Sequence, residues 1–262
     1  MKKIFTSLVN WLVNRPGWLM LIADNTRLQS APPERLGGAW WQVLALSAAW
    51  GVGQAGLWAL AWNAPQGRAA LPIMPVVAVL GVTFLWVYRR AAAALADAVV
   101  GGPDRPLGMA VIVAVWALIL LTLRGWNEQS SAENPWWLVW LRPHGVLRPL
   151  LLAPLWGAWA MMATCLFCRR TYTSQPAVLA YADRCGPLAT AAVMGGVLTL
   201  SIWYFNYLPW MQVTISGVTI VAAVIAGLVF SRRGRRLTRE VLLATNLLTQ
   251  TAFLLAYIAN RI

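Results

Sequence analysis

The sequence predicts an all-α fold: a polytopic transmembrane helix bundle of about seven spans, preceded by an N-terminal amphipathic interfacial helix. Three observations carry that expectation. Of the 262 residues, 60% are hydrophobic and only 11% charged, against about 25% charged in an ordinary soluble domain. Apolar runs at 40–62, 71–88, 107–123, 149–168, 187–210, 213–230 and 241–258 approach the roughly 20 residues that a helix needs to cross a bilayer. The basic residues, finally, fall unevenly between those runs. Together these exclude a secreted disulfide scaffold, a disordered chain and a nucleic-acid binder, and leave the lipid bilayer as the first partner.

The net charge of +13 therefore reports topology. With the N-terminus in the cytoplasm, the inside segments carry Lys2, Lys3, Arg15, Arg27, Arg35, Arg89, Arg90, Arg105, Arg169, Arg170, Arg184, Arg232, Arg233, Arg235, Arg236 and Arg239. The outside segments carry Arg68, Arg124, Arg142, Arg148 and Arg261. Sixteen against five favours seven spans with the N-terminus in and the C-terminus out. The expected location is a multi-pass position in a membrane, the bacterial inner membrane being the natural candidate.

Residues 1–36 form a cytoplasmic interfacial segment and 37–262 the bundle. Ile4, Phe5, Leu8, Trp11 and Leu12 share one helical face opposite Lys3, Ser7, Asn10 and Asn14, as in a helix lying in the head-group layer. Asn10, Asn14 and Arg15 interrupt the run, and no small-residue cleavage site follows, which argues against a signal peptide. Arg15-Pro16-Gly17 and Ala31-Pro32-Pro33 break the chain before the first span. Most of the 17 tryptophans, including Trp40, Trp41, Trp62, Trp86, Trp203 and Trp210, are expected as interfacial anchors.

Two hairpins, 72–123 and 151–205, share a pattern. The first reads Pro75, Arg89-Arg90, Asp104-Arg105, Leu107; the second reads Pro154, Arg169-Arg170, Asp183-Arg184, Pro187-Leu188. A parallel repeat about the membrane normal gives this pattern. So does local grammar, in which arginines stop spans and proline opens helices.

No Asp, Glu, Lys, Arg or His lies deep in any expected span. That argues against proton pumps, voltage sensors and carboxylate-coupled exchange. No phosphate loop or nucleophile elbow is present, so no catalytic residue is assigned. One histidine excludes a bis-His haem held by this chain alone. Cys165, Cys168 and Cys185 lie together near one cytoplasmic segment, but a single C-x-x-C makes no zinc pattern. They are expected as small packing groups. No cofactor or metal is expected.

Two sets of residues remain as candidates. Asn246, Gln250 and Tyr257 fall near one face of the last span. Amides are costly against lipid, so this face should look into the bundle, as interhelical glue or as the lining of a substrate path. The second set, Trp136, Trp137, Trp140, Arg142 and His144, lies on the outer loop between Arg124 and Arg148. A short helix there would show one aromatic face, as an interfacial anchor or a ligand or partner platform. Trp-Trp-x-x-Trp-x-Arg is distantly similar to the tryptophan-rich signature of the haem-handling cytochrome c maturation proteins. The family's acidic residue after the last Trp is Leu141 here, and its paired flanking histidines are missing. The resemblance covers under a tenth of the chain and implies at most a haem-like ligand at the outer surface.

The leading expectation for function is a non-catalytic transport subunit or helix-bundle subunit of a larger membrane complex, with other membrane subunits or a separate ATPase as partners. In plan the chain resembles the permease subunit of some ATP-driven exporters, from which seven spans and an outside C-terminus depart. The alternative is an enzyme or carrier handling a lipid-linked or haem-like ligand outside. Arg124, Arg142 and Arg148 would then hold phosphate, His144 would be the base, and Glu128 or Glu133 the acid.

Overall fold

The computed structural model describes residues 39–62, 73–101, 104–125, 147–168, 176–205, 209–234 and 237–260. They form eight helices, and no strand occurs among them. In chain order these are α1 (Ala39–Trp62), α2 (Ile73–Val99), α3 (Arg105–Gly125), α4 (Leu147–Phe167), α5 (Pro176–Arg184), α6 (Pro187–Phe205), α7 (Pro209–Gly234) and α8 (Arg239–Ala259). The N-terminal amphipathic segment, Arg169-Arg170 and the outer tryptophan loop lie outside the described residues.

Among the described residues, five stretches are long and apolar enough to cross a membrane: Arg105–Leu123, Leu147–Phe167, Pro187–Tyr204, Gln212–Arg232 and Arg239–Ala259. The chain thus has the character of a multi-pass membrane protein. α1 and α2 have the length as well, at 24 and 27 residues. Gln42 and Gln54 lie within α1, and Arg89, Arg90 and Asp97 in the second half of α2.

α4 and α8 are the centre. They pack on each other, and α7 packs on both. α1 covers α4, α2 covers α8, and α3 lies on α2 and reaches α8. α6 is peripheral, against α4 and α7, while short α5 touches α1 and α4.

Close approach explains part of this order. A Cβ on Gly51 of α1 would stand 2.6 Å from the Leu151 carbonyl oxygen of α4. The two backbones touch where any larger residue would hold them apart, the usual role of small residues where helices cross in a bilayer. Pro154 sits inside α4 and leaves the Leu150 carbonyl without its helical donor.

The connection expected between residues 89 and 106 is mostly helix. α2 continues through Arg89-Arg90 because the run Ala91–Ala96 is rich in the strongest helix former and is buried against its neighbours. The arginine pair marks where the apolar stretch stops, not where the helix turns. The turn comes at Gly101, whose φ of 71° suits a residue without Cβ. The Val100 and Gly101 N–H groups both donate to the Ala96 carbonyl, closing the helix end. The segment after α4 likewise contains α5, where sequence reasoning placed only a loop. α8 starts from Thr238, whose extended backbone and side-chain oxygen cap Val241 N–H at 3.3 Å, as N-cap threonines do.

Candidate functional site

α8 supplies the most polar interior surface. Thr245, Asn246, Thr249 and Gln250 are all buried, and Phe253 and Tyr257 continue the buried set toward the helix end. Spacings of three and four residues place these side chains on the broad inward side of one helix. Asn246, Gln250 and Tyr257 thus all lie inside the bundle, at 3%, 1% and 0% exposure.

The amides are held by contact. Gln250 Nε2 donates to Asn246 Oδ1 at 2.6 Å, and Asn246 Nδ2 donates to Met161 Sδ at 3.3 Å. Opposite them α4 carries Gly157, and a Cβ there would meet Gln250 Nε2 at 2.9 Å and Asn246 Nδ2 at 3.0 Å. The missing side chain is therefore the space the amides occupy. Gln250 Oε1 and Thr249 Oγ1 are buried and make no hydrogen bond among the described residues.

On the other flank stands an aromatic stack drawn from three helices. Phe84 of α2 stacks on Trp116 of α3 with centroids 4.4 Å apart, and Tyr88 follows Phe84 at 5.2 Å. Trp50 of α1 meets Tyr88 edge-on at 6.0 Å, and Tyr88 lies against Gln250. Offset and edge-on rings of this kind hold together beyond the area that they bury. Trp116 Nε1 donates to Thr251 Oγ1 at 3.1 Å, which ties α3 to α8.

Trp156 of α4 makes a second tie. Its Nε1 donates to Ser201 Oγ of α6 at 3.3 Å, and its ring lies over Phe253 of α8 at 6.3 Å. The tryptophans therefore divide. Trp41, Trp203 and Trp210, close to helix ends, are exposed, whereas Trp116, Trp156 and Trp159 are mid-helix and buried. Their central position within a span was the signal that separates them from interfacial anchors.

Chemically this interior is polar but neutral. Arg239, at the first position of α8, is the one charged residue in the buried set among the described residues. Neutral amides and hydroxyls can hold helices together or meet a neutral polar solute; they cannot relay protons as a carboxylate chain would.

The cysteines form a separate corner. Cys165, Cys168 and Cys185 are buried thiols that form no disulfide, and the Cys168 thiol donates to the Gly227 carbonyl of α7 at 3.5 Å. Tyr181 of α5 is buried beside Cys185 and Cys165, and burial first, then those thiols, raises its phenol well above the usual range. Among the described residues no group of three or more His, Cys, Asp or Glu is placed to hold a metal ion. Sequence spacing showed the C-x-x-C but not that α5 would bring Tyr181 and Cys185 to it.

Trp136, Trp137, Trp140, Arg142 and His144 lie outside the described residues, as do Glu128 and Glu133. Comparison with protein-family models, with curated proteins and with solved structures gives no match for the chain.

Proposed function

We propose that the chain is a non-catalytic helix-bundle subunit of a larger membrane complex, a transport subunit being the first case, with other membrane subunits or a separate ATPase as its partners. In this reading it crosses the bilayer seven times, with its N-terminus inside and its C-terminus outside. α1 and α2 exceed the roughly 20 residues that a span requires, and the Gln42 and Gln54 side chains of α1 are buried, away from lipid. The uneven placement of arginines supports the orientation.

One observation carries the functional reading: the polar interior is neutral and filled by its own side chains. Asn246 and Gln250 rest on Gly157 and Met161, an arrangement that fixes helices rather than transforms a substrate. The outer helices meanwhile show broad apolar faces, among them Val213, Val221 and Ile225 of α7. Such faces suit lipid or the spans of other subunits.

The test is the composition of the detergent-solubilised protein. Stoichiometric co-purification of other membrane subunits or an ATPase is expected. A lone monomer that hydrolyses or transfers a lipid-linked phosphate would overturn the reading. Orientation is checked separately: Gly234→Cys should resist membrane-impermeant thiol reagents in intact cells, and Ser131→Cys should react. An outside-reactive Gly234→Cys refutes the orientation.

A further inference from the structure

A groove of about 540 Å³ runs between α1 and α6 over α4. Trp40, Trp41, Ala48, Leu155, Gly196 and Leu200 are among its walls, and no charged side chain lines it. Small residues make the groove: Ala48 on one wall and Gly196 on the other leave the space that larger side chains would fill.

Its length chooses among occupants. On α6 the lining runs from Ala189 to Leu200, which is about 17 Å at 1.5 Å per residue. That is roughly half of the 30 Å hydrocarbon core, the depth of one leaflet. A spanning helix would need a groove about twice as long, whereas a single acyl chain is about one leaflet deep.

The charge next in sequence before the α6 wall points to the head group. Arg184 ends α5 and is exposed, five residues before Ala189 at the start of the groove. α5 itself packs against α1 and α4, two of the elements that build it. A guanidinium suits a phosphate oxygen pair, and the Trp40 and Trp41 indoles suit the interfacial layer. Asp183, also exposed, precedes Arg184 and offsets part of its charge.

We propose that this groove is a binding site for one anionic phospholipid, its acyl chain between α1 and α6 and its phosphate at Arg184. The leaflet, but not the site, rests on the orientation given above: with seven spans α1 and α6 both start on the cytoplasmic side, so the lipid belongs to the inner leaflet.

The experiment counts lipids. The full chain in detergent is supplied with phosphatidylglycerol or phosphatidylcholine, and retained lipid is measured by native mass spectrometry. The wild type should keep one phosphatidylglycerol in preference to phosphatidylcholine. Gly196→Leu fills the groove and should abolish that adduct. A Cβ at Gly196 meets nothing within 4 Å, so its thermal unfolding should match the wild type; Ala48→Leu, from the opposite wall, is the second variant. Arg184→Gln should keep a lipid but lose the preference for phosphatidylglycerol, and Asp183→Asn should increase that preference. Equal retention of the two lipids by the wild type, or an adduct that survives in folded Gly196→Leu and Ala48→Leu, overturns the proposal. So does release of a co-purifying membrane protein by Gly196→Leu with the lipid count unchanged, which would assign the groove to a protein. Outside labelling of Gly234→Cys would move the lipid to the other leaflet and leave the count standing, so the two failures are distinguishable.

Discussion

α4 and α6 are nearly interchangeable as sequences and opposite as structures. They have 21 and 19 residues, and mean hydropathies of 1.7 and 1.4 over their apolar stretches. Yet 89% of the α4 stretch is buried and 22% of the α6 stretch. In water such a difference would appear as a difference in apolar content. In a bilayer lipid tails are as apolar as leucine, so hydrophobicity does not sort inside from outside. What sorts them is contact. Gly157 and Met161 of α4 receive the amides of α8, and Trp156 reaches helices on two sides. On α6, Gly195 and Gly196 have open space where a Cβ would stand.

The largest expected effect tests that difference with one kind of change. Gly157→Leu on α4 drives side-chain atoms into Gln250 and Asn246 at a centre that has no slack. Overpacking costs about 1–3 kcal/mol where neighbours can yield, and more where they cannot. Asn246 and Gln250 can yield only by breaking their own hydrogen bonds. Thermal unfolding in detergent should therefore show a large loss of stability or no folded protein. Gly195→Leu on α6 should unfold like the wild type. Equal damage from both variants would erase the distinction between centre and rim.

Next comes Asn246→Leu. It keeps approximate volume but removes both the acceptor for Gln250 and the donor to Met161. Interhelical polar contacts in membranes are worth about 0.6–2 kcal/mol, and the loss should appear as a lower unfolding temperature with partner binding intact. If partner binding or transport changes at unchanged stability, the amides line a path and the structural reading of α8 fails.

How much of this was legible follows the same physics. The last span's amides were readable as an inward face because Asn246 and Gln250 are four residues apart and costly against lipid. Their partners were not. Nothing local in Gly157, Met161 or Tyr88 says which helix it will meet, because pairing is a property of the whole bundle. Helix positions were readable from apolar runs, except where a helix outlasts its run. α2 passes Arg89-Arg90 on an alanine-rich stretch, and α5, nine residues long, is too short and too polar to register as a span. The tryptophans mislead for a related reason. Composition alone places them at interfaces, and only a mid-span position marks Trp116 and Trp156 as interior.

A smaller effect is expected at the seam between centre and rim. Ser201→Ala removes the acceptor of Trp156 Nε1 and leaves that indole N–H buried. Ser201 Oγ also donates to its own helix at the Val197 carbonyl, 2.8 Å away, so one helix-to-helix bond is lost. A cost near 0.6 kcal/mol is expected, read as a slight shift in unfolding temperature. Ser201→Thr, which keeps the hydroxyl, should restore it if the bond and not the volume is what matters.

The smallest effect belongs to an ion pair at the α2–α3 turn. Arg105 Nε lies 3.3 Å from Asp97 Oδ1 across the turn between α2 and α3, with both side chains about half exposed. By distance this contact compares with the hydrogen bonds of the interior. By environment it does not: solvent screens the pair, and ordering two mobile side chains offsets most of the attraction. Exposed pairs of this kind contribute roughly 0–1 kcal/mol, and Gly101 with the Ala96 carbonyl already fixes the turn. Asp97→Asn should therefore change the unfolding temperature less than Ser201→Ala, and 1 M salt should shrink even that difference because the Debye length falls to about 3 Å. If Asp97→Asn instead destabilises as much as Asn246→Leu, the α2–α3 turn belongs energetically to the centre, and the division drawn from α4 and α6 does not extend to the ends of the bundle.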